Sequence, residues 1–137
     1  AIHPGSGGRK KCWPAERFAQ LVPRISRKKM MPVVFFGPAD DAIRDHFENL
    51  VAPGEYWDPV VNWPLRDVLA LLTFCRGYIG NDSGMTHLAA RACPVTAIFG
   101  PTPPAIWSPL GKTVRILQAP DGDLARLTVA EVLQSLL

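Results

Sequence analysis

Short unbroken apolar runs alternate along this chain with stretches whose apolar side chains recur every three or four positions. The runs Pro32 to Phe36 (PVVFF), Tyr78-Ile79, Val95 to Phe99 (VTAIF) and Lys112 to Leu117 read as strands, and Ala1 to His3 as the closing part of another. Continuous apolar character, rather than strict alternation, marks strands covered on both faces. Helical spacing appears at Phe18, Leu21, Val22 and Ile25 behind Pro14, with Pro23 expected to kink the second half. Asp40 is placed to cap a helix carrying Ile43, Phe47 and Leu50. Leu65 to Cys75 reads as an apolar helix closed by Arg76-Gly77. The turn GNDSG opens a helix running through Thr86 to Ala92, and the capping box Thr128 to Glu131 starts a last helix ending at Leu137. Residues 51–64 carry no clear period, with a short strand expected at Val60-Val61. Strands and helices in alternation predict an α/β chain: a Rossmann-like parallel sheet with helices on both faces. Ligands of such sheets bind beyond the carboxyl ends of the strands, where every unusual loop of this sequence falls.

The chain has 137 residues, 47% of them hydrophobic and 20% charged, which fits one domain spanning 1–137 and excludes a disordered or fibrous polypeptide. Its longest apolar run, Val68 to Phe74, is far short of the ~20 residues a membrane span needs. The N-terminus AIHPGSGG lacks the apolar stretch of a signal peptide, and the missing initiator Met suggests a piece of something longer. Cys12, Cys75 and Cys93 are odd in number and far apart, which favours reduced thiols over a disulfide framework or zinc cluster.

Charge sharpens this picture once it is divided. Residues 1–30 carry +7 and the remainder −4, together the net +3 of the chain. Arg24 to Lys29 suit the solvated end of a helix. Arg9, Lys10 and Lys11 differ, because they sit in a glycine-rich loop where cations meet phosphate.

Four loops are candidates for chemistry. HPGSGGRKKCWP (3–14) offers glycines for close backbone approach, N–H groups for an anion and lysines for phosphate oxygens, without the register of a P-loop or a dinucleotide fingerprint. GNDSGMTHLAA (80–90) places Asp82 or Ser83 as cap of a helix start, with Gly84 leaving room and His87 one turn on. A plain N-cap with a packed histidine competes there with an anion seat. FGPADD (36–41) puts a carboxylate at a strand end, suited equally to ribose hydroxyls or to capping. FGPTPPAIWSP, with Thr102 and Trp107, is either a pocket wall or a stiff crossover.

In order, HPGSGGRKKCWPAERF, FFGPADD, WPLRDVLALL, GNDSGMTHLAA and VTAIFGPTPPAIWSP resemble glycosyltransferase family 9, the heptosyltransferases. The resemblance implies one half of a two-domain GT-B fold, the C-terminal, donor-binding half. Its implied donor contacts are Ser6 and Gly7 on the diphosphate, Lys11 neutralising it, Asp40 (or the adjacent Asp41) on ribose and Leu65 on adenine. Asp82 would hold the sugar hydroxyls, with Ser83, Gly84 and His87 around the phosphates. Lys11 and Asp82 are the implied catalytic residues of the chain. The implied activity is transfer of heptose from ADP-heptose to the lipopolysaccharide inner core. No metal or other cofactor is demanded, since Lys11 and backbone N–H groups meet the charge on the departing ADP. The resemblance further implies that the acceptor and its general base belong to an N-terminal half, that nucleic acid is not a partner, and that the setting is cytoplasmic, with room for peripheral contact at the inner membrane. Cys93-Pro94 and residues 51–64 depart from the family pattern. Two alternatives stay open: a nucleotide-sugar 2-epimerase, which would be expected to carry paired glutamates where Met85-Thr86-His87 stand, and a non-catalytic nucleotide-binding module.

Overall fold

A computed structural model describes residues 1–136. Six strands, β1 (Ile2–His3), β2 (Val33–Phe36), β3 (Trp57–Val61), β4 (Tyr78–Asn81), β5 (Val95–Phe99) and β6 (Val114–Gln118), form one sheet in the order β3-β2-β1-β4-β5-β6. Every neighbouring pair is parallel. That order reverses direction between β1 and β4, so the loops leaving these two strands diverge and open a crevice. The expected Rossmann-like α/β sheet is the fold observed.

Period-two alternation sends side chains to two separate cores. Val34, Phe36, Ile79 and Ile98 pack on one face with Phe18, Leu21 and Val22 of α1 (Ala15–Ser26), Phe47 of α2 (Asp41–Glu48) and Val132 of α6 (Val129–Ser135). Phe35, Tyr78, Ala97 and Phe99 face the other way, onto Val68 and Leu72 of α3 (Leu65–Leu72) and Ala89 of α4 (Gly84–Ala89). Trp13 and Phe18 meet edge to face at 4.9 Å between ring centroids, joining the end of the first loop to the start of α1.

Several expected boundaries move. β3 is a full five-residue strand rather than a short piece of an irregular segment, because it pairs along β2 across a register shift between Val33 and Phe35. Pro23 lies inside α1 without ending it: Arg27 N–H still reaches the Pro23 carbonyl and the helix runs to Ser26. Helix α3 stops at Leu72, with Thr73, Phe74 and Cys75 closing it by backbone bonds to Leu69, Ala70, Leu71 and Leu72. Gly77 is therefore not its cap, and its φ is not positive. Helix α4 ends at Ala89, not Ala92, and Leu50 follows α2 as an exposed residue rather than lying on it. β6 begins at Val114 rather than Lys112, and four residues of the proline-rich loop form a short helix, α5 (Pro104–Trp107). The capping box of α6 is formed as expected, and its predicted end at Leu137 lies outside the described residues. The three cysteines are free thiols. No helix among the described residues is long and apolar enough to cross a membrane.

Candidate functional site

A cleft of about 990 Å³ opens at the carboxyl edge of the sheet, beside the point where strand order reverses. Ser6, Gly7, Asp40, Leu65, Ser83, Gly84 and His87 all line it. The two remaining candidates, Lys11 and Asp82, are bonded to each other where the first and second loops meet, Lys11 Nζ lying 2.9 Å from Asp82 Oδ2.

The first loop leaves β1 at Pro4, crosses Ser6 to Gly8, and tightens into a single 3-10 turn over Arg9–Lys11 before Trp13 re-enters the core. Its backbone is exposed at Gly7, where an added Cβ would meet no atom within 4 Å. Ser6 Oγ donates to the Asp82 carbonyl at 2.8 Å, fixing the loop against the end of β4.

Asp82 follows β4 directly. Its carboxylate is nearly buried, and Oδ2 accepts both from Lys11 Nζ and from the Thr102 hydroxyl at 2.8 Å. Oδ1 accepts no hydrogen bond among the described residues and is not a buried orphan, so it stays open for a further donor. Ser83, rather than Asp82, caps α4, with its Oγ accepting from Thr86 N–H at 3.4 Å. Thr86 is buried and its hydroxyl also bonds the Tyr78 phenol and the Asn81 carbonyl, locking the first turn of α4 to β4. Burial pushes the Tyr78 phenol far above its ordinary value, despite its hydrogen bond to the Thr86 hydroxyl, so it stays a neutral hydroxyl. Gly84 is open to solvent, and His87 is exposed one turn further along the cleft.

Asp40 does something other than cap α2. No side-chain capping bond forms. Its Oδ2 instead accepts from Gly37 N–H at 2.7 Å and faces His3 Nε2 at 3.0 Å. A carboxylate only accepts, so Nε2 carries the proton of this pair. Burial raises the Asp40 carboxyl, but the hydrogen bonds from His3 Nε2–H and Gly37 N–H outweigh it and hold the carboxyl below its ordinary value. Gly5 makes this possible: a Cβ there would lie 1.9 Å from Asp40 Oδ1. His3 and Asp40 thus tie the loop after β1 to the loop after β2. Asp41, the adjacent alternative for ribose, is exposed and lies 3.5 Å from Arg44.

Leu65 begins α3 and is 68% exposed on the cleft wall, beside Trp63 and Leu110, which are also exposed. Such a rim of large apolar side chains suits a planar ring. Trp107 is exposed but does not line the cleft, whereas Thr102 contributes through Asp82, so the proline-rich loop supports the site rather than walling it.

A family model described as glycosyltransferase family 9 (heptosyltransferase) matches residues 1–135. The chain belongs to that family. Lipooligosaccharide heptosyltransferase 2 of Haemophilus ducreyi is 30% identical over 131 residues, covering 90% of this chain and 37% of that protein. Lipopolysaccharide heptosyltransferase 2 of Salmonella typhimurium is 28% identical over 116 residues, covering 81% of this chain and 33% of that protein. Among solved structures, ADP-heptose LPS heptosyltransferase II of E. coli superposes with a TM-score of 0.85 at 24% identity, over 97% of this chain and 43% of the other. E. coli heptosyltransferase WaaC with ADP gives 0.83 at 22%, over 97% and 42%. At those identities the superpositions speak to fold. This family 9 chain spans about a third of the length of the relatives it matches.

Sequence reasoning did not single out three residues that build the site: His3, Trp13 and Asn81 lie within the candidate loops 3–14 and 80–90, but nothing in the sequence marks their bonding roles. The available signal for Asn81 was an amide side chain just past the apolar Tyr78-Ile79 run.

Proposed function

We propose that this chain is the donor-binding, C-terminal portion of a heptosyltransferase that takes the ADP-heptose class of nucleotide-sugar and transfers heptose to the lipopolysaccharide inner core. The observation that carries this reading is the convergence of Lys11, Ser6 and Thr102 on Asp82 at the end of β4, beside a cleft large enough for a nucleotide. The heptosyltransferase names of the related proteins agree with it.

In this reading the exposed backbone around Gly7 and the N–H groups of Gly84 and Met85 receive the diphosphate. Lys11 Nζ, already 37% exposed on its side chain, turns from Asp82 toward the phosphate oxygens, while Thr102 keeps Asp82 partly satisfied. The open Oδ1 of Asp82 accepts from a sugar hydroxyl. Adenine lies on Leu65 and its apolar neighbours. As the bond from anomeric carbon to diphosphate breaks, negative charge builds on the departing ADP, and fixed donors stabilise it without the reorganisation that water would need. Ribose falls near Asp40, although the bonds of its carboxylate to His3 and Gly37 make it first a brace between loops. The acceptor hydroxyl, its base and any contact with the cytoplasmic face of a membrane belong to the part of the protein beyond this chain.

Calorimetric titration tests this. ADP is expected to bind more tightly than UDP, to bind equally in EDTA, and to bind Lys11→Ala more weakly; the isolated chain should bind donor without transferring heptose. Preference for UDP, or no binding of either nucleotide, contradicts the donor assignment. Heptose transfer by the chain alone contradicts the division of labour.

A further inference from the structure

Asn81 is fully buried at the last position of β4, next to Asp82. Its side chain makes no contact suited to a ligand and instead grips the first loop at both ends. Oδ1 accepts from Trp13 N–H at 2.8 Å, where the loop re-enters the core. Nδ2 donates to the carbonyls of Pro4 at 2.7 Å and Gly5 at 3.2 Å, where the loop leaves β1. The amide orientation is fixed by its partners, since only oxygen can face an N–H and only NH₂ can face two carbonyls. All three backbone groups are buried, and a loop has no ladder in which to satisfy them.

We propose that Asn81 is a positioning residue: it holds the mouth of the first loop at fixed width, so that the stretch from Ser6 to Lys11 is shaped for a diphosphate before one arrives. This rests on the donor reading given above and adds to it the residue that sets the shape of the loop. The two consecutive residues divide the work. The Asn81 side chain pins the roots of the loop, while Asp82 holds its crown through Ser6 and Lys11. Without Asn81, a nucleotide would have to order the loop itself, and that ordering would be subtracted from the affinity for diphosphate. Contact of adenosine with the Leu65 wall would be untouched.

Binding of ADP and of adenosine to the chain and to Asn81→Asp and Asn81→Ala tests the proposal. Asn81→Asp keeps the acceptor for Trp13 N–H but sets an oxygen against two carbonyls. ADP affinity is expected to fall about 10- to 100-fold, the range seen when a residue that orients a metal ligand is removed, with adenosine affinity within about twofold. Equal losses for ADP and adenosine, or unchanged ADP affinity, overturn it. Should the variants not fold, hydrogen exchange on the unsubstituted chain decides: the Trp13 amide should be protected like the amides of β4, far beyond Gly7 and Gly8. A Trp13 amide exchanging as fast as those glycines overturns the hold of Asn81 on the loop. Failure of the unsubstituted chain to bind ADP overturns the donor reading instead, and a protected Trp13 amide distinguishes that outcome.

Discussion

Replacing Lys11 by methionine keeps most of the length and the apolar stem of the side chain and deletes its charge. The Asp82 side chain is 5% exposed, so the change leaves a nearly buried carboxylate supported by the Thr102 hydroxyl. Breaking a fully buried ion pair costs about 3–5 kcal/mol, whereas an exposed pair is worth about 0–1 kcal/mol. Lys11 is itself 37% exposed, so water reaches Nζ and screens the pair. The cost therefore falls between these limits, at about 1–2 kcal/mol. A chain of this size loses roughly 3–5 °C of Tm per kcal/mol, which gives a drop of about 3–10 °C. The assay is a double-mutant cycle in urea over Lys11→Met, Asp82→Asn and both together. Removing both charges should cost less than the sum of the single changes, with a coupling of about 1 kcal/mol. Coupling within the ~0.5 kcal/mol scatter of independent sites would refute the pairing as an energetic feature.

Other consequences follow from the same geometry. Gly5→Ala drives a Cβ to 1.9 Å from Asp40 Oδ1, so the carboxylate must move off its bonds to His3 and Gly37 N–H; a loss of about 1–3 kcal/mol is expected, and an unchanged urea midpoint would contradict it. Because the folded Asp40 carboxyl sits below its ordinary 3.8, it adds stability that is present above that value and lost as pH falls toward the folded one. The urea midpoint of Asp40→Asn should therefore change less between pH 5 and pH 3 than that of the parent, and parallel curves would contradict this. Trp13→Phe removes the Nε1 donor 2.9 Å from the Leu127 carbonyl while Arg17 still reaches that oxygen, so about 1 kcal/mol should be lost, measurable by urea denaturation.

The sheet was legible because its signals are local: continuous apolar runs for strands buried on two faces, and three-to-four spacing at Phe18, Leu21, Val22 and Ile25 for α1. β3 was hard to see since its strand character depends on pairing with β2, whose partner residues lie about twenty-five positions away. The end of α3 was misread for a related reason. Arg76-Gly77 imitates a helix stop, yet the chain had already turned at Thr73, whose N–H and hydroxyl both bond carbonyls of the last turn. At the site, the two loops stood out by residue type, the family resemblance singled out Lys11 and Asp82 within them, and the fold brings the two together. The working role of Asp40 was hidden, because its partner His3 lies thirty-seven positions away and the room for the contact is created by the absence of a side chain at Gly5. Asn81 was hidden in the same way, as its three partners are backbone groups about seventy or more positions distant.

Following backbone amide resonances during titration with ADP tests whether the cleft at the junction of the first and second loops receives the diphosphate of an adenine nucleotide. Saturable shifts are expected at Ser6, Gly7, Lys11 and Asp82 to His87, with smaller effects from UDP at equal concentration. Shifts confined to the opposite edge of the sheet, or none at all, would contradict it.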